Sequence, residues 1–218
     1  MVGPYGSSSR HHQEVLKCAA RCLTWRWSRR RDHGDAPRLS AGVSRSHMTT
    51  LPTALIGEFI DASVRDQERA AGLLAAHPDL IKARWLHGET VLHFLAVEGF
   101  TDGVRFLAER GADVNAVNEF GDSPLIDVTV LGHTDIADML LRHGANPNAR
   151  SDTRDPVLHC AVERGNDRLV ALLLAAGADA GYRTDLGGSV FDAVPPSGAE
   201  RESILAVLAE HGVIPDAG

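Results

Sequence analysis

Two histidines carry the strongest hint of chemistry in this chain. His93 and His159 each follow a leucine, in Val91-Leu92-His93 and Val157-Leu158-His159. Imidazole is the common general base and metal ligand near neutral pH. Cys160 lies beside His159 and suggests a thiol nucleophile, but adjacent residues on a helix point about 100° apart, a poor geometry for a Cys–His pair. Ile126 holds the place of the histidine midway between the two, so no ladder of imidazoles runs through the chain. Cys18 and Cys22 sit in a His-containing stretch without the second ligand pair a zinc site needs. Gly187-Gly188 lacks the remainder of any phosphate-cradling motif. The residues therefore predict no catalytic site, no metal and no cofactor.

The residues around these candidates repeat. Leu92, Leu125 and Leu158 are 33 apart, as are Gly99, Gly132, Gly165 and Gly198, and again Gly111, Gly144 and Gly177. Each of the last three is followed by Ala and then Asp or Asn. A fixed period of this size marks an array of stacked units, each burying its apolar face on the next. Thr90 and Ser123 precede helical runs, where a hydroxyl can accept free backbone N–H groups, and Pro124 follows at the first helical position, where its missing donor costs nothing. Asp155-Pro156 offers the same cap-plus-proline chemistry displaced by one residue, which leaves the start of the third unit's first helix open. Leu92, Leu125, Leu158 and Phe191 are expected to fill the layers between units. Val104, Phe106, Leu107, Ile136, Met139, Leu140, Leu169, Leu172 and Leu173 supply the facing wall. Gly111, Gly144, Gly177 and Gly212 each close a second helix, where a left-handed backbone favours glycine.

Gly88-Glu89-Thr90-Val91-Leu92-His93, Gly121-Asp122-Ser123-Pro124-Leu125 and Val157-Leu158-His159, each leading to Gly-Ala-Asp/Asn, resemble the ankyrin repeat family. The resemblance covers roughly residues 85–212. It implies an all-α solenoid of stacked helix-turn-helix repeats joined by short β-hairpin connections. Residues 85–117, 118–150 and 151–183 are read as repeats, 48–84 as an N-terminal cap and 184–218 as a C-terminal cap. In the cap, Leu55, Ile56, Phe59, Ile60 and Val64 recur at helical spacing, and Pro78 stops the helix that begins near Asp66. Pro195-Pro196 cuts the last inner helix short. The resemblance also makes His93 and His159 structural residues that bond the backbone of a turn. Asp127 is unusual in it, because Phe94 and Cys160 hold the equivalent inner-helix places; an exposed acid on the concave side is expected there.

Composition limits function. Residues 1–47 hold nine Lys/Arg and three Asp/Glu, whereas the remainder holds thirteen and twenty-six. An acidic body argues against phosphate-backbone binding, so no nucleic acid is expected on the repeats. The first 47 residues, with Gly6-Ser7-Ser8-Ser9 and Arg29-Arg30-Arg31, read as a disordered basic tail or as a mis-called start ahead of Met48. A transit peptide or a basic arm for nucleic acid or acidic membrane are the functional readings of that stretch. No apolar run reaches the ~20 residues of a membrane span. Three cysteines without a framework fit a reducing compartment, so a cytoplasmic monomer is expected. Twenty arginines against two lysines suggest a GC-rich genome and a bacterial source.

The family resemblance implies a protein-binding module whose hairpin tips and inner helices form one concave face. The positions the scaffold leaves free are Trp85, Leu86, His87 and Glu89; Val97 and Glu98; Glu119, Phe120 and Asp122; Val130 and Leu131; Asp152, Thr153 and Asp155; and Glu163 and Arg164. Trp85, Phe120, Val130 and Leu131 are the natural anchors, as large apolar groups inside a polar rim, although Trp85 and Phe120 also have reason to pack on neighbouring hairpins. The acids around them predict a partner with a basic, partly apolar surface. An inhibitor or immunity-type subunit covering an enzyme is the alternative, and an enzyme subunit a third reading.

Overall fold

The computed structural model describes residues 51–151, 155–184 and 187–215. The readings made for residues 1–47, for Cys18 and Cys22, and for Asp152 and Thr153 lie outside them. Nine α-helices form among the described residues, in antiparallel pairs. These are α1 Thr53–Arg65 and α2 Gln67–Ala76, α3 Val91–Val97 and α4 Thr101–Ala108, α5 Pro124–Leu131 and α6 Thr134–Arg142, α7 Val157–Glu163 and α8 Asp167–Ala175, and finally the unpaired α9 Ala199–Glu210. The inner helices α3, α5 and α7 pack in succession, as do the outer helices α4, α6 and α8; α1 closes one end and α9 the other. The array is all-α, and its hairpin connections are of the shortest kind. A backbone bond from Trp85 to Glu89 recurs from Asn118 to Asp122 and from Thr184 to Gly188, with one antiparallel bridge between Arg84 and Thr90.

Helices of seven to nine residues are too short to persist alone, so burial holds them. Leu92, Leu125 and Leu158 are each about 1% exposed, in successive equivalent layers. Val104, Phe106, Leu107, Ile136, Leu140, Leu169 and Leu173 are buried behind them, while Met139 and Leu172 are half-buried. Phe191 fills its layer only in part, and the fully buried residue at that end is Val190. There the inner helix is reduced to a 3-10 turn, Val190–Ala193, with a reciprocal Ser189–Asp192 cap, before Pro195-Pro196.

The caps divide by residue type. Thr90 accepts from the His93 N–H and Ser123 from the Ile126 N–H, with Pro124 at the first helical position. The third unit corrects the sequence reading. Pro156 itself occupies the cap position, 33 residues after Ser123, and α7 begins at Val157 with no side-chain cap; Asp155 lies one residue too early to serve. The glycines that close α4, α6, α8 and α9 have φ between 74° and 90°, in the left-handed region. Gly165 is constrained twice, by a φ of 65° and by the Glu200 side chain, which a Cβ would meet at 2.9 Å.

A hydrogen-bond ladder fixes the spacing of the units. Asn115 donates from Nδ2 to the Gly144 carbonyl at 2.9 Å and accepts from the Asn146 N–H at 2.7 Å. Asn148 repeats both bonds one unit later, to the Gly177 carbonyl and from the Asp179 N–H. Asp113, Asn146 and Asp179 instead accept from the backbone two residues ahead, the local turn bond their short side chains favour. The bridging position becomes Gly181 in the last unit, and the ladder ends there.

Leu125→Ala is expected to lower stability by about 2–5 kcal/mol through lost burial and the cavity left behind. Asn115→Ala removes two bridging bonds and is expected to cost about 1–3 kcal/mol. Urea unfolding followed by circular dichroism checks both, and the leucine variant should be the more damaged.

Candidate functional site

The hairpin tips are built by stacking one on the next. His87, with φ 56°, and Gly88 turn the first tip, and the Glu119 N–H of the second tip donates to the His87 carbonyl at 2.9 Å. The His87 and Phe120 rings meet with centroids 5.6 Å apart. Arg84 donates to the carbonyls of Gly88 and Val117, tying the same two tips together. Asn118 shapes the second tip from within, its Oδ1 accepting from the N–H groups of Phe120 and Asp122. Trp85 and Phe120, both half-buried, keep exposed surface at the tips, together with His87 and the Glu119 carboxylate 3.9 Å from its ring.

A second strip lies at the opposite ends of the same inner helices. Val97, Val130 and Glu163 share one repeat position, and Glu98, Leu131 and Arg164 the next. Val97, Glu98, Val130 and Leu131 are half-buried, and Glu163 and Arg164 are exposed. Since α3, α5 and α7 pack side by side, these six residues form one row across the array. His133 anchors the row's first step, its Nε2 lying 3.2 Å from the Val97 carbonyl.

The structure removes other positions from the accessible set. Glu89 is 7% exposed and Asp122 is fully buried, because the stacked tips cover the residues that flank each cap. Asp127 is 4% exposed, so the acid expected on the open side lies inside. Asp155 is exposed, and of Leu86 only the backbone is described. Val117 escaped the sequence reading. It is 48% exposed, beside Phe120, at a repeat position where Arg84, Arg150 and Arg183 stand in the other units. That single apolar break in a basic column was the available signal.

The titratable candidates have structural surroundings. His93 is buried, with Nδ1 3.3 Å from the Thr90 hydroxyl and Nε2 3.0 Å from the Asp122 carbonyl of the next tip. A carbonyl only accepts, so Nε2 carries the proton and the ring acts as a strut between units. His159 is buried too, and burial pushes its basicity below the ordinary value of 6.5 despite Asp155, Asp179 and Asp192 nearby. The Cys160 thiol donates to the Asp155 carbonyl at 3.4 Å. No cluster of three or more metal-ligating side chains occurs among the described residues. None of their helices is long and apolar enough to cross a membrane.

No curated protein matches the chain. The family model for ankyrin repeats (3 copies) matches residues 59–151 and again residues 92–184. Ankyrin repeats generally mediate protein–protein interaction, and they are typically non-enzymatic. The matched stretches span more than half of the sequence and coincide with the leucine layers, the hydroxyl caps and the left-handed glycines, and the chain belongs to the ankyrin repeat family.

Proposed function

We propose that this protein is a recognition module that grips another protein between its hairpin tips and the exposed ends of its inner helices. The observation that supports this reading is that large apolar groups along the tips and inner-helix ends keep exposed surface, although Trp85 also packs against the core. Trp85, Val117, Phe120, Val130 and Leu131 all keep exposed surface. Half-buried aromatic and aliphatic groups, already held in place by neighbours, lose little side-chain freedom on binding and make efficient anchors.

Charge selects the partner's chemistry. Glu98, Glu119, Asp155 and Glu163 rim the same surface; its basic groups are Arg164, His87 and the arginines of Val117's column, of which Arg84 and Arg150 already donate to Gly88, Val117 and Tyr182. A basic, partly apolar polypeptide surface complements this arrangement, and the carboxylates accelerate its approach more than they add affinity. The protein acts in this reading as a cytoplasmic monomer without catalytic activity of its own.

Affinity capture from the source cell with the intact chain, compared with Trp85→Ala/Phe120→Ala, tests the proposal. The double variant should keep its helical circular dichroism and bind the captured partner at least about tenfold more weakly, the loss of one to two hot-spot contacts. Equal capture by both proteins would place the binding surface elsewhere. Raising the salt concentration should slow association while leaving dissociation nearly unchanged.

A further inference from the structure

The same repeat position is solved in three ways along the array. His93 has an oxygen partner at each ring nitrogen, Ile126 needs none, and both ring nitrogens of His159 are buried without a hydrogen-bond partner. The difference is encoded three residues earlier. Thr90 supplies the hydroxyl that meets Nδ1 of His93, whereas Pro156 at the same repeat position has none to offer. On the other side, the Asp122 carbonyl accepts from the Asn118 N–H and also meets Nε2 of His93; the equivalent Gly188 carbonyl accepts from the matching Thr184 N–H at 2.8 Å, and His159 does not reach it. His159 is left with an edge-on ring contact to Tyr182, centroids 5.7 Å apart.

A neutral imidazole tolerates such a place, but an imidazolium has two N–H donors to satisfy. Protonated His93 would find two oxygens; protonated His159 would find none. The charged and titratable groups around it are exposed or engaged elsewhere. Asp155 precedes α7 and is exposed. Cys160, on α7 itself, donates to the Asp155 carbonyl. From the connection after α8 come Asp179, which accepts from the Gly181 N–H, and Tyr182, whose hydroxyl accepts from Arg150, together with exposed Arg183. The 3-10 turn contributes Asp192, which accepts from Ser189. On the packed neighbours, Asp127 of α5 is buried, Asp167 of α8 accepts from Ser203, and Arg168 pairs with Asp135 at 2.8 Å.

We propose that the joint between the third repeat and the C-terminal unit is an acid-sensitive hinge, at which proton uptake by His159 parts the turn Val190–Ala193 and α9 from α7 and α8 while the earlier joints hold. The two joints between the repeats have the asparagine ladder, and the first of them the His93 strut; this one has neither, because Gly181 ends the ladder and His159 bonds nothing. Asp155 and Asp179 belong to the side of the joint that stays, so their charge still favours the imidazolium after Asp192 has left with the turn. The sign follows from the lowered basicity of the folded state. The closed joint is fully favoured above the ordinary value of 6.5 and loses stability as pH falls below it, because the opened state binds the additional proton.

Hydrogen exchange by mass spectrometry on the full chain at roughly pH 7.5 and pH 5.5, corrected for intrinsic exchange, tests the hinge; one proton coupled to opening changes protection about tenfold per pH unit below the crossing. The α9 amides should lose protection at the lower pH relative to those of α3 and α5, by at most about tenfold. His159→Ile, which copies the residue at position 126, should abolish that difference. Pro156→Thr, which restores a hydroxyl to Nδ1, should reduce it and serves if the isoleucine variant does not fold. Equal relative protection of α9 at both pH values in the natural sequence, or an undiminished loss in His159→Ile, would overturn the proposal.

Discussion

The contact between successive leucine layers is the constraint on which everything else rests. A pair of helices seven to nine residues long has an apolar stripe on each side and no means of covering either. Leu92, Leu125 and Leu158 cover them for one another, each sandwiched between its own outer helix and the neighbouring unit. Once the layers are stacked at a fixed spacing, every other recurring residue has a fixed counterpart one period away. Asn115 meets the backbone at Gly144 and Asn146, and His93 meets the Asp122 carbonyl. The same spacing lays out the exposed row from Val97 to Arg164.

Stacking also explains why the array is not uniform along its length. The two joints between the repeats carry side-chain bridges, through Asn115, Asn148, His93 and Arg84. The last joint relies on the burial of Val190, Ile204 and Leu208 and on surface bonds such as that between Ser203 and Asp167. In a linear array, each joint contributes its own free energy, so the weakest opens first. The residues proposed to bind sit chiefly on the better-bridged portion.

Much of this was legible in residue spacing. Period, caps and closing glycines are local chemistry: Thr90, Ser123 and Gly144 do their work within a few residues of themselves. Most of the misses share one cause, a neighbour about one period away. Nothing in the turns that hold Asn115 and Asn148 signals side chains that reach 29 to 31 residues ahead. Glu89 and Asp122 read as free because their local setting is polar, yet the adjacent tip buries them. Asp127 read as exposed for want of any sign in its own helix that the third dimension covers it. Pro156 was displaced by one residue because a proline after an acid imitates a capped start. The candidate surface was visible as a set of positions left over by the scaffold, but Val117 became part of it only through its exposure in the folded array.

The central claim is that the tips and inner-helix ends form the working face and the outer helices serve as support. Hydroxyl-radical footprinting of the protein bound to its captured partner tests this most directly. The account predicts protection at Trp85, Val117, Phe120, Val130 and Leu131, with Met139 of α6 and Leu172 of α8 on the outer helices unchanged. Protection concentrated on those outer-helix residues, with the tips still reactive, would contradict it.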